Sequence, residues 1–476
     1  MLAFVLMLVS CLENSQTVTY DDTSVTSFTL GQAKCVRKVY GKDSTYTFSY
    51  SASRFPVYID QYGDTMPTIT NKDNPLLFGT DMKHMLVSIS TKNNGLAAFR
   101  NIEDSLFTIF NPGDSIDLSQ PRTLRVLAQN GIDFKDYIVD IVAQEEDADS
   151  FTWTRLPDCP AIAAFTQMST VATGDYIYVL GYNEASTETE KSQLLRSKDG
   201  KDWDATGCTL PSGITAAASI MTFENKLYLL DDNKLYTSID GTTWSAPILP
   251  NLPLKTILGG YTYAPDGGSA IREVYAIAAD GTFAVSDNDQ TWEYDVIENS
   301  SYSDNRPFLP VSDWQTTVIT SKVNKDVGNI IVIGNAKANA VPGTVVASDT
   351  TAVVWHKIAD KDSKQWWTYT PVQNDNKKYI LPRMESLSAA HYANGIIVIG
   401  GKKIDKNSKI YYSPDYGTTW HTVSGLTVPE DFTATASARL IADGNGYFYL
   451  IGGGTGIIYK ARQNKATWKE SQKYFE

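Results

Sequence analysis

The chain is poor in the residues that most enzyme and metal chemistry draws on. Histidine occurs four times, at His84, His356, His391 and His421, and no two stand at the spacing of a helical zinc pair. Cysteine also occurs four times, as Cys11, Cys35, Cys159 and Cys208, without a CxxC pair. A thiolate zinc site and a thioredoxin-like redox centre are therefore not encoded. Lysine and arginine total 41 against 54 Asp and Glu, and no basic cluster stands out. With a net charge of −13, a nucleic-acid partner is not expected, because that partnership needs clustered cations on phosphates. A P-loop, a GxGxxG in the right setting and a GxSxG elbow are missing. The glycine-rich run Gly452 to Gly456 joins two strand-like segments, the wrong place for a phosphate cradle. No cofactor and no metal is expected.

What is present is a chain able to build a large core. Of 476 residues, 42% are hydrophobic and only 20% charged, with Thr, Ser, Tyr, Val and Ile plentiful. Strands are favoured, and no long stretch carries helical periodicity. The opening MLAFVLMLVS is too short to span a bilayer and too apolar for a soluble terminus. Leu8-Val9-Ser10-Cys11 resembles the bacterial lipobox, which implies lipidation of Cys11. Residues 1–22 are read as a lipoprotein signal peptide and tether; an ordinary signal sequence containing a cysteine is the alternative. Lipidation implies attachment to a membrane through the lipid alone, in an outer-membrane lipoprotein on the cell surface or the periplasmic face.

Residues 23–145 carry short strand patterns, among them SVTSFTLG, STYTFSYS, PVYIDQ, HMLVSIS, RTLRVLAQNG and KDYIVDIVAQ, separated by turn residues. An immunoglobulin-like β-sandwich is expected there, with EEDADS at 145–150 as a charged hinge.

From residue 151 to 476 a repeat takes over. Tryptophans at 153, 203, 244, 292, 355, 420 and 468 recur at intervals of roughly 40 to 65 residues. Each unit has a small-residue strand (ESLSAAHYA), an aromatic-aliphatic strand (GIIVIGG), and a third strand running into a turn that ends in Trp. An all-β propeller is expected, six blades favoured and seven the alternative, with small residues crowding the axis. The 153 strand is a candidate to close the ring by joining the last blade. Turns in register are Ser197-Asp199-Trp203, Ser238-Asp240-Trp244 and Ser413-Asp415-Gly417-Trp420, with weaker copies at 286–292 and 348–355. In such a turn Asp and Ser accept backbone N–H bonds, Gly supplies positive φ and Trp wedges between sheets. Cys159 and Cys208 follow Trp-marked strands at equivalent places; they either pair or remain two buried thiols.

These turns look like the Asp-box of BNR propellers, and the Ile-Gly-Gly endings at 399–401 and 451–453 resemble kelch strands. Together with the lipobox, YIDQYGDTMPTITNKDNPLLFGTD (58–81), DSIDLSQP (114–121) and DSFTWTRLP (149–157), the chain resembles a family of exported lipoproteins of Bacteroides-type gut bacteria. In that family an Ig-like domain precedes a kelch/BNR-like propeller of unassigned function. The resemblance implies an envelope role and no reaction.

The enzymatic alternative is a sialidase-like glycoside hydrolase or lyase, which would need convergent arginines and paired carboxylates. The repeat region holds seven arginines, at 155, 196, 272, 306, 383, 439 and 462. For binding, the aromatics Trp366, Trp367 and Tyr369 in a polar connection are the first candidates, and Tyr302 with Arg306 the second. The expectation is a monomeric, non-enzymatic, lipid-anchored propeller taking a glycan, peptide or protein partner at a channel mouth. A structural scaffold of an envelope complex is the third reading.

Overall fold

The computed structural model describes residues 19–38, 44–62, 66–187, 190–204, 207–264, 268–298, 305–321, 323–338, 350–360, 365–368 and 379–473. The regular structure of the described residues is nearly all strand, and the chain divides into two compact units. One comprises residues up to Ala148 together with those from Trp468 on, and the other runs from Asp149 to Thr467. Trp468 thus lies outside the unit that holds the other marker tryptophans.

In the first unit a six-stranded sheet is built from Tyr58–Asp60, Thr68–Thr70, Phe134–Asp140, Arg122–Leu127, Leu96–Arg100 and Phe107–Ile109. A three-stranded sheet is built from Val25–Leu30, Met85–Thr91 and Ser115–Ile116. Alternate residues of both sheets meet in one apolar cluster: Phe28, Leu30 and Val87 from the smaller, Leu124, Val126 and Val139 from the larger. This is how period-two strands bury one face and wet the other. Tyr137 is fully buried, and its hydroxyl is satisfied by the Thr23 carbonyl at 3.1 Å and Gln61 Oε1 at 3.0 Å.

In the second unit the described strands make six sheets. Their innermost strands are Gln167–Thr173, Ser219–Phe223, Leu254–Tyr263, Pro310–Thr320, Ser388–Tyr392 and Ala438–Ala442. Each touches the next, and the last touches the first, so they form a ring around an axis. The ring is joined by chain pairing as well as packing. Phe151–Arg155, at the start of the unit, runs antiparallel to Ile458–Gln463 at its end, placing Trp153 opposite Ala461. A propeller needs its innermost strands slim and its second strands apolar on both faces, since neighbouring sheets cover them. Second strands such as Gly395–Ile399 and Phe448–Gly452 are buried at every residue.

The repeated turn is built as its residues dictate. Ser413 Oγ accepts from Gly417 N at 2.7 Å, Asp415 Oδ1 accepts from Thr419 N at 2.7 Å, and Trp420 Nε1 donates to the Gly417 carbonyl at 3.1 Å. Ser197, Asp199 and Trp203 repeat the pattern: Gly200 N donates to Ser197 Oγ at 2.9 Å, Lys201 N donates to Asp199 Oδ1 at 2.9 Å, and Trp203 Nε1 donates to the Gly200 carbonyl at 3.0 Å. Ser238 and Asp240 do likewise, but Trp244 Nε1 reaches instead to the Thr209 carbonyl at 2.7 Å. In the third sheet Asn288 takes the aspartate seat, accepting from Gln290 N and Thr291 N. Each turn also leans on its neighbour. A Cβ on Gly200 would sit 2.6 Å from Tyr449, and one on Gly417 2.7 Å from Val354, both side chains of the preceding sheet.

The weak copy at 348–355 does not hold. Ser348 lies outside the described residues, and Trp355 sits within the third strand Val353–Ala359 and does not open a fourth. Its indole is fully buried and donates to the Phe308 carbonyl at 2.9 Å. Cys35, Cys159 and Cys208 are all buried free thiols, which resolves the open choice for the last two.

Candidate ligand-binding mouth of the channel

The six innermost strands enclose a channel of 450 Å³ lined by residues from every sheet, His391 among them. It widens at the end where these strands begin into a depression of 730 Å³. At the opposite end, where they finish, is a smaller hollow of 360 Å³. The two ends differ in charge. Lys255, Lys402, Lys403 and Arg439 line the wide mouth with Asp313 as its one carboxylate among the described residues. Glu224 and Asp443 line the narrow end, where Arg272 Nε donates to Glu224 at 3.2 Å. A cationic mouth on a chain of net charge −13 opposes the average field of the molecule.

The wide mouth is shaped by an irregularity in Pro310–Thr320. Ser312 pairs with Asn335 and Gln315 with Ile333, so one extra residue is accommodated between them. Asp313 absorbs it with φ +54, a left-handed conformation that costs a non-glycine residue about 1 kcal/mol or more. Bulges re-aim side chains, and this one presents Asp313 and Trp314 to the depression. The Asp313 carboxylate is held from three directions: Ser386 N at 2.8 Å, Ser312 Oγ at 2.8 Å and Asn335 Nδ2 at 3.0 Å. Trp314, half-buried, lines both the mouth and the channel, and Lys255 Nζ lies 4.8 Å from its ring centroid.

Arg439, on the innermost strand of the last sheet, lines the same mouth two sheets further round. Its Nε donates to the Met168 carbonyl at 2.7 Å, and its Nη1 to the carbonyls of Ser386 at 3.3 Å and Ala438 at 3.1 Å. One side chain thereby ties three sheets. Burial pushes its guanidinium down to about 10, with the charge of Asp313 acting in the other direction. It stays cationic at neutral pH. Nη2 makes no hydrogen bond to the described protein. Beside it, Ser437 is 4% exposed, and its hydroxyl is buried with no partner among the described residues.

The aromatics expected from the sequence lie elsewhere. Trp366 and Trp367 are on Gln365–Thr368, the fourth strand out from the axis, about 14 Å from the innermost at ordinary strand spacing. Trp366 is fully buried, stacked on Phe283 at 4.0 Å, with Nε1 donating to Asp295 Oδ2 at 2.8 Å. It is a packing residue and offers no face to a ligand. Trp367, half-buried, stacks on His356 at 4.2 Å. Arg306 is exposed on the short turn Arg306–Phe308. Tyr302, Tyr369 and Cys11 lie outside the described residues. Trp314, Asp313 and Lys255 are not among the residues expected from sequence, where Arg439 is one of seven arginines. The available signal was Trp314 itself, inside VSDWQTTVIT, the one tryptophan on the described innermost strands.

Residues 147–471 match the description "DUF6242 beta propeller domain", and residues 28–141 match the N-terminal domain of the same family, a domain of unknown function. The chain belongs to the DUF6242 family. No curated protein matches it. Among solved structures it is similar to a structural genomics protein of unknown function from Bacteroides thetaiotaomicron, at 11% identity and TM-score 0.39, over 86% of this chain and 98% of that one. An α-L-arabinofuranosidase from Fusarium graminearum is 14% identical, with TM-score 0.36, over 66% of this chain and 98% of the other. The Aleuria aurantia lectin is 11% identical, with TM-score 0.35, over 62% and 90%.

Proposed function

We propose that this DUF6242 chain is a non-enzymatic glycan-binding propeller whose ligand seats on Trp314 at the wide mouth. The observation that carries this reading is Trp314 itself, half-buried beside hydrogen-bonding groups, because an aromatic face stacks on a sugar ring while polar neighbours fix its orientation. The chemistry of the mouth favours binding over hydrolysis. Glycoside hydrolysis works through two carboxyl groups flanking the bond, and Asp313 is the one lining carboxylate among the described residues. Its oxygens are already engaged by Ser312, Asn335 and Ser386. Of the seven arginines only Arg439 lines the wide mouth. Arg155 pairs with Asp158, Arg196 with Asp204, and Arg272 with Glu224 and Asp289, and none of the three lines the wide mouth. The lipobox-like Leu8 to Cys11 supports lipid anchoring at the cell envelope as part of the same proposal.

A glycan array probed with the whole soluble chain tests this. Retention of an oligosaccharide, with affinity falling about tenfold or more in Trp314→Ala and unchanged in Trp367→Ala, is the expected result. An array on which the native chain retains no glycan would remove the reading.

A further inference from the structure

We infer that the ligand of this mouth is an acidic sugar, its ring lying on Trp314 and its carboxylate meeting Arg439 Nη2 and the Ser437 hydroxyl. This rests on the glycan-binding reading above and narrows it.

Three independent features point to an anion. Arg439, in the lining of the mouth, spends Nε and Nη1 on backbone carbonyls, which fix the plane of the guanidinium and leave Nη2 without a hydrogen bond to the described protein. A planar cation locked in this way is prepared for a carboxylate, since little freedom is lost on binding. Its nearby acid, Asp313, does not neutralise it by contact, because Ser386, Ser312 and Asn335 occupy that carboxylate. Ser437 adds a hydroxyl, 4% exposed and without a partner in the described protein, in the wall of the same depression. A buried hydroxyl left unsatisfied is costly, and a ligand oxygen would relieve it. Finally, Lys255 holds its ammonium over the Trp314 ring, keeping positive charge beside the stacking surface.

A sugar acid satisfies these features together: a ring face for the indole and a carboxylate for the guanidinium. An acidic peptide supplies the charge without the ring, and a neutral glycan the ring without the charge.

The test is calorimetric titration of the whole soluble chain at low ionic strength with oligogalacturonate, with the same oligomer after reduction of its carboxyl groups, and with oligoglutamate. The acidic sugar is expected to bind about tenfold or more tighter than the reduced form, an ordinary margin for a charge-assisted bond. Ser437→Ala, which removes a hydroxyl that no described residue bonds, should weaken the acidic oligomer severalfold and leave the reduced one unaffected. Arg439→Met should equalise the two, its melting temperature being measured in parallel. Equal binding of acidic and reduced oligomers, both lost in Trp314→Ala, would overturn the acidic assignment and leave the glycan reading standing. Oligoglutamate binding as tightly as oligogalacturonate would overturn it too. Binding of neither oligomer, with neutral glycans retained on the array, sinks the acidic assignment alone; an array bare of all glycans sinks both.

Discussion

Asp313 and Arg439 hold the same residue from its two ends: Asp313 Oδ1 accepts the Ser386 amide at 2.8 Å, and Arg439 Nη1 donates to the Ser386 carbonyl at 3.3 Å. Three consecutive sheets are thereby linked at the mouth. Ser386 itself is left-handed, with φ +50. Both grips act on its backbone, so Ser386→Gly should keep them. Relief of left-handed strain and the greater freedom of an unfolded glycine offset each other, and stability should change by less than about 0.5 kcal/mol. Arg439→Met strips donors from the buried carbonyls and should cost about 2–4 kcal/mol. Urea denaturation of both variants checks this, and a large loss in Ser386→Gly would show that the backbone account is wrong.

The turn glycines face a double constraint. Gly417 has φ +103, and a Cβ there would fall 2.7 Å from Val354 Cγ1. Gly417→Ala should therefore cost more than the roughly 1 kcal/mol of a left-handed alanine in open space. Gly131, at φ +70 with nothing within 4 Å, is the control and should lose only about that 1 kcal/mol as Gly131→Ala. Adding Val354→Ala to Gly417→Ala should recover part of the excess. Equal melting-temperature losses at the two glycines would refute the clash.

Much of this architecture was legible because it is local. Ser, Asp, Gly and Trp at fixed spacing specify one turn, and the apolar run of each second strand declares burial on both faces. The 153 strand was legible as a ring-closing element because its Trp preceded any innermost strand. The site was not legible, because its contacts are remote in sequence. Trp366 reads as an exposed aromatic within DKDSKQWWTYTPVQ; its acceptor Asp295 is 71 residues upstream. Trp314 owes its position to a bulge made by the φ of Asp313, which composition does not announce. Arg439 reads as one arginine in TATASARLIA until Met168 and Ser386 arrive from other sheets.

Acid should loosen the ring through its turn carboxylates. The Thr242 hydroxyl, followed by the amides of Thr243 and Thr242, holds Asp240 well below the usual carboxylate range. A group whose pKa is depressed on folding stabilises the fold above its unfolded value, about 4, and loses that contribution as pH falls below it. Asn288 occupies the equivalent seat in the third sheet with the same pair of amide bonds, so an amide fits there. Asp240→Asn should thus be less stable than the native chain at neutral pH, with the gap narrowing as pH falls from about 5 to 2. Denaturation midpoints across that range measure it; a gap constant with pH would dismiss the charge.

The strongest dependence of stability on a single pair should lie between the third and fourth sheets. Lys357 and Asp295 form an ion pair at 3.0 Å with side chains only 5% and 7% exposed, and Trp366 Nε1 closes over the same carboxylate at 2.8 Å. Removing one partner of a buried pair leaves the other charge without compensation. Lys357→Met alone should cost about 3–5 kcal/mol, because it leaves the buried Asp295 carboxylate without its cation. Asp295→Asn should cost less where the amide still accepts from Trp366, stranding only the lysine. The double variant Lys357→Met with Asp295→Leu removes both charges and should recover most of the loss, while Trp366 forfeits an acceptor worth about 1 kcal/mol. Chemical denaturation of these variants, with Asp295→Leu alone completing the double-mutant cycle, decides the matter. Additive losses would mean that the ammonium and the carboxylate do not depend on each other, and that the apolar stacking of Trp366 on Phe283 alone holds this edge of the sheet.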